Sequence, residues 1–133
     1  MDDSPRPRTV DDLLAEARAT LPPRPTADEL DGLLSGDALV VDIRPIGIRT
    51  AEGALPGALV VDRNVLEWRL DPASPHRLPE VTDHHQTVVV VCNDGYASSL
   101  AASSLQRLGL HRATDLEGGY RAWAARRRDK PSG

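Results

Sequence analysis

Four consecutive valines, Val88 to Val91, run directly into the chain's single cysteine, Cys92, and then into Asn93-Asp94-Gly95-Tyr96-Ala97-Ser98-Ser99. An unbroken β-branched run of this length reads as a strand buried on both faces, the pattern of a central strand in a parallel sheet. Asn, Asp and Gly then supply the chemistry of a tight loop. Ser98 and Ser99 open an Ala/Leu-rich stretch with helical spacing that stops at Gly109. The predicted order is therefore strand, short loop, helix N-terminus. A lone cysteine within a strand is by default a small buried hydrophobe. Cys92, however, is the last residue before the loop, at the carboxyl end of its strand, where open α/β sheets place their ligands. There a thiol meets successive backbone N–H groups and the positive pole of a helix, both of which favour the thiolate and attract an anionic reactant.

The rest of the chain supplies partners for such a strand. Ala38 to Val41, Ala58 to Val61 and Ala113 to Leu116 are short apolar runs, and helical patterns stand between them. Thr26 to Glu29 forms a capping box ahead of Leu30, Leu33 and Leu34, while Arg49 to Glu52 and Asn64 to Arg69 read as short helices. Gly118-Gly119 opens a last helix carrying Tyr120, Ala122 and Trp123. Strands alternating with helices predict an α/β domain with a parallel sheet, right-handed crossovers and helices on both faces. Asp42, Arg44, Arg63 and Cys92 all follow strands and should gather at one edge of that sheet.

Ahead of this unit, residues 1–23 form an extension. Its first eight residues have the look of disorder, and Thr9 caps a short helix with Val10, Leu13, Leu14 and Ala17 on one face. Leu21-Pro22-Pro23-Arg24-Pro25 ends that helix. The main domain is expected over 24–128, with a tail over 129–133. The basic run Arg126-Arg127-Arg128-Asp129-Lys130 reads as a solvated helix end suited to the negative pole of the dipole.

Composition narrows the function. With 133 residues the chain holds one core and no second catalytic domain. A net charge of -4, no Phe, two Trp and two Tyr argue against a nucleic-acid surface, which needs a basic patch and stacking platforms. No apolar run reaches the ~18 residues of a membrane span. A single cysteine, and an N-terminus without a signal peptide's apolar stretch, point to a reducing cytoplasm. The long loop from Leu70 to Gln86 holds His76, His84 and His85, but no carboxylate or thiolate stands at ligand spacing on a defined scaffold, so no metal is expected.

Taken together, Val41-Asp42-Ile43-Arg44, Glu52-Gly53-Ala54-Leu55-Pro56-Gly57-Ala58, the Val run with Cys92 and its loop, and Leu116-Glu117-Gly118-Gly119-Tyr120-Arg121-Ala122-Trp123 resemble the rhodanese-like single-domain sulfurtransferases. The resemblance covers roughly residues 24–126 in order and spacing. It implies a doubly wound, five-stranded parallel sheet. It also implies a loop cysteine that takes up sulfane sulfur as a persulfide and passes it to a thiophilic acceptor, a thiol or a protein, with no metal or organic cofactor. By position Cys92 matches the nucleophile, and Asn93, Asp94, Gly95, Tyr96 and Ala97 match the loop whose amides cradle the persulfide. Arg63, and after it Arg44, are candidates for holding an anionic donor, Arg44 being equally suited to a structural pair with Asp42 or Glu52. Ser98 reads as an N-cap within reach of the persulfide.

The chain departs from the family pattern in three places. Ala54 stands where relatives often have a His, usually considered structural. Ala97 stands where many carry Arg, Ser or Thr. Asp94 puts a negative charge in the anion-receiving loop, so thiosulfate, a small dianion, should be a poor donor beside a persulfide or mercaptopyruvate. Phosphatases of related fold place Arg six residues after the cysteine, and here that position is Ser98, which argues against phosphate chemistry. The alternative to sulfur transfer is a non-enzymatic rhodanese-like module used for binding or redox sensing, since an exposed thiolate without a resolving partner is also open to oxidation. Nothing in the sequence fixes an oligomeric state.

Overall fold

The computed structural model describes residues 6–129. The outermost parts of the extension and the tail, residues 1–5 and 130–133 with Lys130, lie outside the described residues. Helix α1 (Val10–Thr20) is followed by α2 (Ala27–Leu34), strand β1 (Leu39–Asp42), α3 (Ile46–Glu52) and β2 (Leu59–Val60). A 3-10 turn (Arg63–Val65) leads into α4 (Leu66–Leu70), and β3 (Val88–Val91), α5 (Ala97–Arg107), β4 (Ala113–Asp115) and α6 (Gly119–Asp129) complete the chain. Every strand pairing is parallel, in the order β2-β1-β3-β4.

The valine run lies where its composition places it, between β1 and β4, with each of Val88 to Val91 no more than 1% exposed. Alternation divides it between two cores. Val88 and Val90 join Val41, Leu66, Leu70, Ala101 and Leu105 on the α4/α5 side. Val89 and Val91 join Val40, Leu30, Tyr120 and Trp123 on the α2/α6 side. Full burial contributes about 1.5–3 kcal/mol for each valine, so this one strand anchors both layers. The doubly wound α/β architecture is thus present.

The described residues contain four strands, not the five that the resemblance implies. The segment Leu21 to Pro25 does run beside β4, where Pro22 O accepts from Thr114 Oγ1 at 3.1 Å and Pro25 O accepts from Glu117 N at 2.9 Å. Pro22, Pro23 and Pro25 have no amide hydrogen, so the segment attaches by isolated bonds in place of a ladder. This leaves β4 edged by a proline strap.

At the carboxyl end of β1, Asp42 and Arg44 form a pair whose side chains are 1% and 0% exposed. Arg44 Nε donates to Asp42 Oδ1 at 3.0 Å, and Nη2 donates to Asp42 Oδ2 at 2.8 Å and to Gly53 O at 2.9 Å. The guanidinium also lies over the Tyr120 ring, 3.8 Å from its centroid. Tyr120 Oη in turn donates to Glu52 O at 2.8 Å. The ends of β1 and α3 and the start of α6 are thereby tied into one knot. Removing one partner of a buried ion pair leaves the other charge unpaired, so Asp42→Asn should destabilise the fold by about 3–5 kcal/mol in urea denaturation. A loss below about 1 kcal/mol would show that the pair does not hold the knot.

Candidate active site

Cys92 directly follows β3, and the chain from Asn93 to Tyr96 wraps back over its sulfur before α5 begins at Ala97. Cys92 Sγ accepts hydrogen bonds from the backbone amides of Gly95 at 3.2 Å and Ser98 at 3.3 Å. It also lies 3.2 Å from Ser98 Oγ. Cys92 is only 8% exposed and packs at the margin of the core, yet it lines a pocket of about 390 Å³. Ile43, Pro45, Tyr96 and Ala97 give this pocket an apolar wall, and Arg44, Arg63, Asn93 and Asp94 complete it.

The loop keeps this shape because two glycines permit it. Gly95 has φ +88°, and a Cβ there would stand 2.8 Å from Gly118 N. A Cβ on Gly119 would stand 2.6 Å from Asn93 O. With side chains absent at both places, the first turn of α6 presses against the loop. Tyr120 N donates to Cys92 O at 2.8 Å, and Arg121 N donates to Asn93 O at 3.1 Å. The Gly118-Gly119 pair that opens a helix in the sequence therefore also seats the active-site loop.

The residues singled out in the sequence take different places. Among the loop amides expected to face the sulfur, those within bonding distance belong to Gly95 and, one residue past the expected set, to Ser98. Asn93 instead holds the loop from outside, its Nδ2 donating to Glu52 Oε2 at 2.8 Å. Tyr96 is 62% exposed, with its ring beside the pocket. Ser98 is not the N-cap, a position taken by Tyr96; its hydroxyl is drawn inward to the buried carboxylate of Asp115, donating to Oδ2 at 2.7 Å. Arg44 lines the pocket, but its guanidinium is engaged by Asp42 and Gly53. Arg63 lies at the rim with its side chain 42% exposed, bonded to both Glu67 oxygens through Nη1 at 3.0 Å.

Four neighbours of the loop had no assignment in the sequence. Arg121 donates from Nη1 to Asp94 Oδ1 at 2.9 Å and from Nε to Glu52 Oε1 at 3.0 Å. The charge of Asp94 is therefore not the unopposed one that the loop sequence suggests. Asp115, fully buried beneath the loop, accepts from Ser98, from Ser99 Oγ at 2.8 Å and from Arg24 Nε at 2.8 Å. Arg18, from α1, donates to Gly95 O at 2.8 Å. Only Arg121 carried a sequence signal, its place directly after Gly118-Gly119-Tyr120; Arg18, Arg24 and Asp115 are remote in sequence from what they touch.

The histidines take no part in this site. The Leu70 to Gln86 loop does not line the Cys92 pocket, and His85 instead meets His111 edge-on at 5.3 Å. Among the described residues no group of three or more His, Cys, Asp or Glu is placed to hold a metal ion, and no helix is long and apolar enough to cross a membrane.

The model of the rhodanese-like domain family matches residues 26–126, and the chain belongs to that family. Solved structures similar to it include a Rhodopseudomonas palustris protein designated a protein of unknown function and possible tyrosine phosphatase. That protein is 29% identical, with all of both chains covered and a TM-score of 0.80. A rhodanese homologue from Thermus thermophilus is 32% identical over 74% of this chain and 98% of its own, with a TM-score of 0.53. A human single-domain sulfurtransferase is 28% identical over 83% of this chain and 99% of its own, with a TM-score of 0.66.

Hydrogen bonds from Arg121 and then Asn93 hold the Glu52 carboxyl below its ordinary value of 4.5. For Glu67, burial acts to raise the value, but bonds from Ser104 and Arg63 outweigh it and leave that carboxyl lowered too. A group lowered in the folded state stabilises the fold above its unfolded value and loses that contribution as the pH falls through the folded one. Acidification below about pH 4.5 should thus weaken the Glu52 contacts that brace the loop. Glu52→Gln should flatten the fall of melting temperature with acid; an acid limb identical to that of the parent would show that Glu52 is not a brace.

Proposed function

We propose that the chain is a sulfurtransferase or sulfur carrier in which Cys92 is the nucleophile and carries sulfane sulfur as a persulfide. The observation that supports this most is the convergence of the Gly95 and Ser98 amides on Cys92 Sγ. Fixed donors of this kind stabilise a thiolate and, after transfer, the anionic outer sulfur. The Cys92 thiolate attacks the sulfane sulfur of a donor. A sulfur–sulfur bond forms to Cys92 as the donor's own bond to that sulfur breaks, and the remainder of the donor leaves with the bonding electron pair. An acceptor thiolate then attacks the outer sulfur and returns Cys92 as a thiolate, which is covalent catalysis with no net oxidation. The single cysteine of the chain suits a reducing cytoplasm.

The pocket also bears on the donor. Its wall of Ile43, Pro45, Tyr96 and Ala97 favours a donor with an organic body, and Arg63 at the rim suits a carboxylate some distance from the reacting sulfur. Asp94 and Glu52 share the one cation of Arg121, which leaves that side of the rim with an excess negative charge. A persulfide or mercaptopyruvate fits this arrangement better than thiosulfate, whose two charges would lie close to Cys92. Phosphate monoester chemistry, the designation of the Rhodopseudomonas palustris relative, fits less well, because Ser98 replaces the phosphate-clamping arginine and its hydroxyl is bonded to Asp115. Ala97, without a polar side chain to offer a ligand, and the acidic Asp94 are the features that favour a non-enzymatic module.

Intact mass spectrometry after incubation with thiosulfate, 3-mercaptopyruvate and glutathione persulfide separately tests the reading. Gain of one sulfur atom is expected, fastest with the two organic donors and reversed by added thiol. Cys92→Ser, folded as the parent by circular dichroism, should gain none, because a hydroxyl cannot carry the sulfur. Failure of every donor to modify the parent would favour the binding module, and sulfur loading of Cys92→Ser would place the nucleophile elsewhere.

A further inference from the structure

We propose that Arg18 and Arg24 are positioning residues of the active-site loop, so that the segment ahead of the family domain is a working part of the catalytic unit. Both lie outside the matched residues 26–126. Arg18 Nη2 donates to Gly95 O at 2.8 Å, and Arg24 Nη2 donates to the same oxygen at 3.1 Å. Gly95 is the residue whose amide points at Cys92 Sγ. It has no side chain to restrict it, and its φ of +88° is held only by what surrounds it. Two guanidiniums on one carbonyl supply charge-assisted bonds that resist rotation of the following peptide.

A second contact carries the same constraint to the other amide donor. Arg24 grips Asp115 through Nε to Oδ1 at 2.8 Å and Nη2 to Oδ2 at 3.2 Å. Asp115 Oδ2 accepts from Ser98 Oγ, and Ser98 N is the second donor to the sulfur. Arg18 adds a bond from Nε to Ser99 Oγ at 3.0 Å. The fully buried Asp115 carboxylate pairs directly with Arg24 and is linked to Arg18 through Ser99 Oγ, and its negative charge offsets part of the repulsion between the two cations. Both are delivered from a fixed frame. Ala17 of α1 is buried against the domain, and Gln106 Nε2 of α5 donates to Thr20 O at 2.9 Å. Pro22 O accepts from Thr114 Oγ1 beside Arg24. The proline strap that replaces a fifth strand therefore sets the place of Arg24.

This inference rests on the sulfur-transfer reading for its consequence but not for its test. Arg18→Met removes one clamp without orphaning Asp115, since Arg18 makes its bonds to Gly95 and Ser99. The full-length variant should show amide hydrogen exchange at Gly95 and Ser98 about tenfold or more faster than the parent, with β3 amides unchanged. Alkylation of Cys92 by iodoacetamide should slow, and kcat with glutathione persulfide should fall about tenfold while KM holds. Arg18→Lys should recover part of each loss, and Arg24→Gln should repeat the pattern if it folds. Parental exchange at Gly95 and Ser98 together with parental alkylation in Arg18→Met would overturn the proposal. Faster exchange throughout β3 as well would also overturn it, by showing a general stabilising role. If the parent carries no sulfur at all, the exchange and alkylation results still decide the clamp, and only the function fails.

Discussion

Two backbone amides meeting at one sulfur atom are the interaction on which the rest of this structure depends. Amides can point at Cys92 Sγ only if the chain turns back within four residues of leaving β3. That turn needs a left-handed residue at Gly95 and room for the loop against α6. The room comes from Gly119, and the neighbouring amides of Tyr120 and Arg121 then secure the carbonyls of Cys92 and Asn93. Each end of the arrangement thus presupposes the other. A parallel sheet with β3 at its centre supplies the rigid base, because all four valines are buried and cannot shift without opening both cores.

Charge is organised around the same loop in three separate groups. Asp42 with Arg44 fixes the β1 edge of the pocket as a buried ion pair, and Arg44 also lines the pocket wall. Asp115 with Arg24 lies beneath the loop, where an unpaired carboxylate would be costly and a paired one becomes an anchor for Ser98 and Ser99. Glu52, Asp94 and Arg121 lie at the solvent rim, where screening weakens each pair and the balance of charge matters more for an incoming donor than for stability. Arg63 is the pocket-lining cation that combines partial exposure with a place at the mouth, which is what supports its proposed role as a donor contact.

Much of this was legible from residues adjacent in the chain. The valine run, the Asn-Asp-Gly loop and the helix after it are local patterns, and they gave the central strand, the position of Cys92 and the alternation that builds a doubly wound sheet. What escaped was either non-local or competed for. Arg24 finds Asp115 at a separation of 91 residues, and no periodicity announces such a pair. Ser98 has the composition of an N-cap, but a buried carboxylate at 2.7 Å outbids the helix end for its hydroxyl. The fifth strand implied by the family resemblance yields to Pro22, Pro23 and Pro25, whose missing amides turn that edge into a strap. Arg44 was open between ligand and structure in the sequence, and it takes both a buried pair with Asp42 and a place in the pocket wall.

The central claim is that the amides of Gly95 and Ser98 hold the sulfur that Cys92 carries. Nitrogen-15 amide spectra of the full chain, recorded before and after addition of one equivalent of glutathione persulfide, address it directly. The account expects the largest shifts at Gly95 and Ser98, reversed by added thiol, with Val88 to Val90 nearly still. Unmoved Gly95 and Ser98 resonances in a protein shown by mass to have gained sulfur would contradict it.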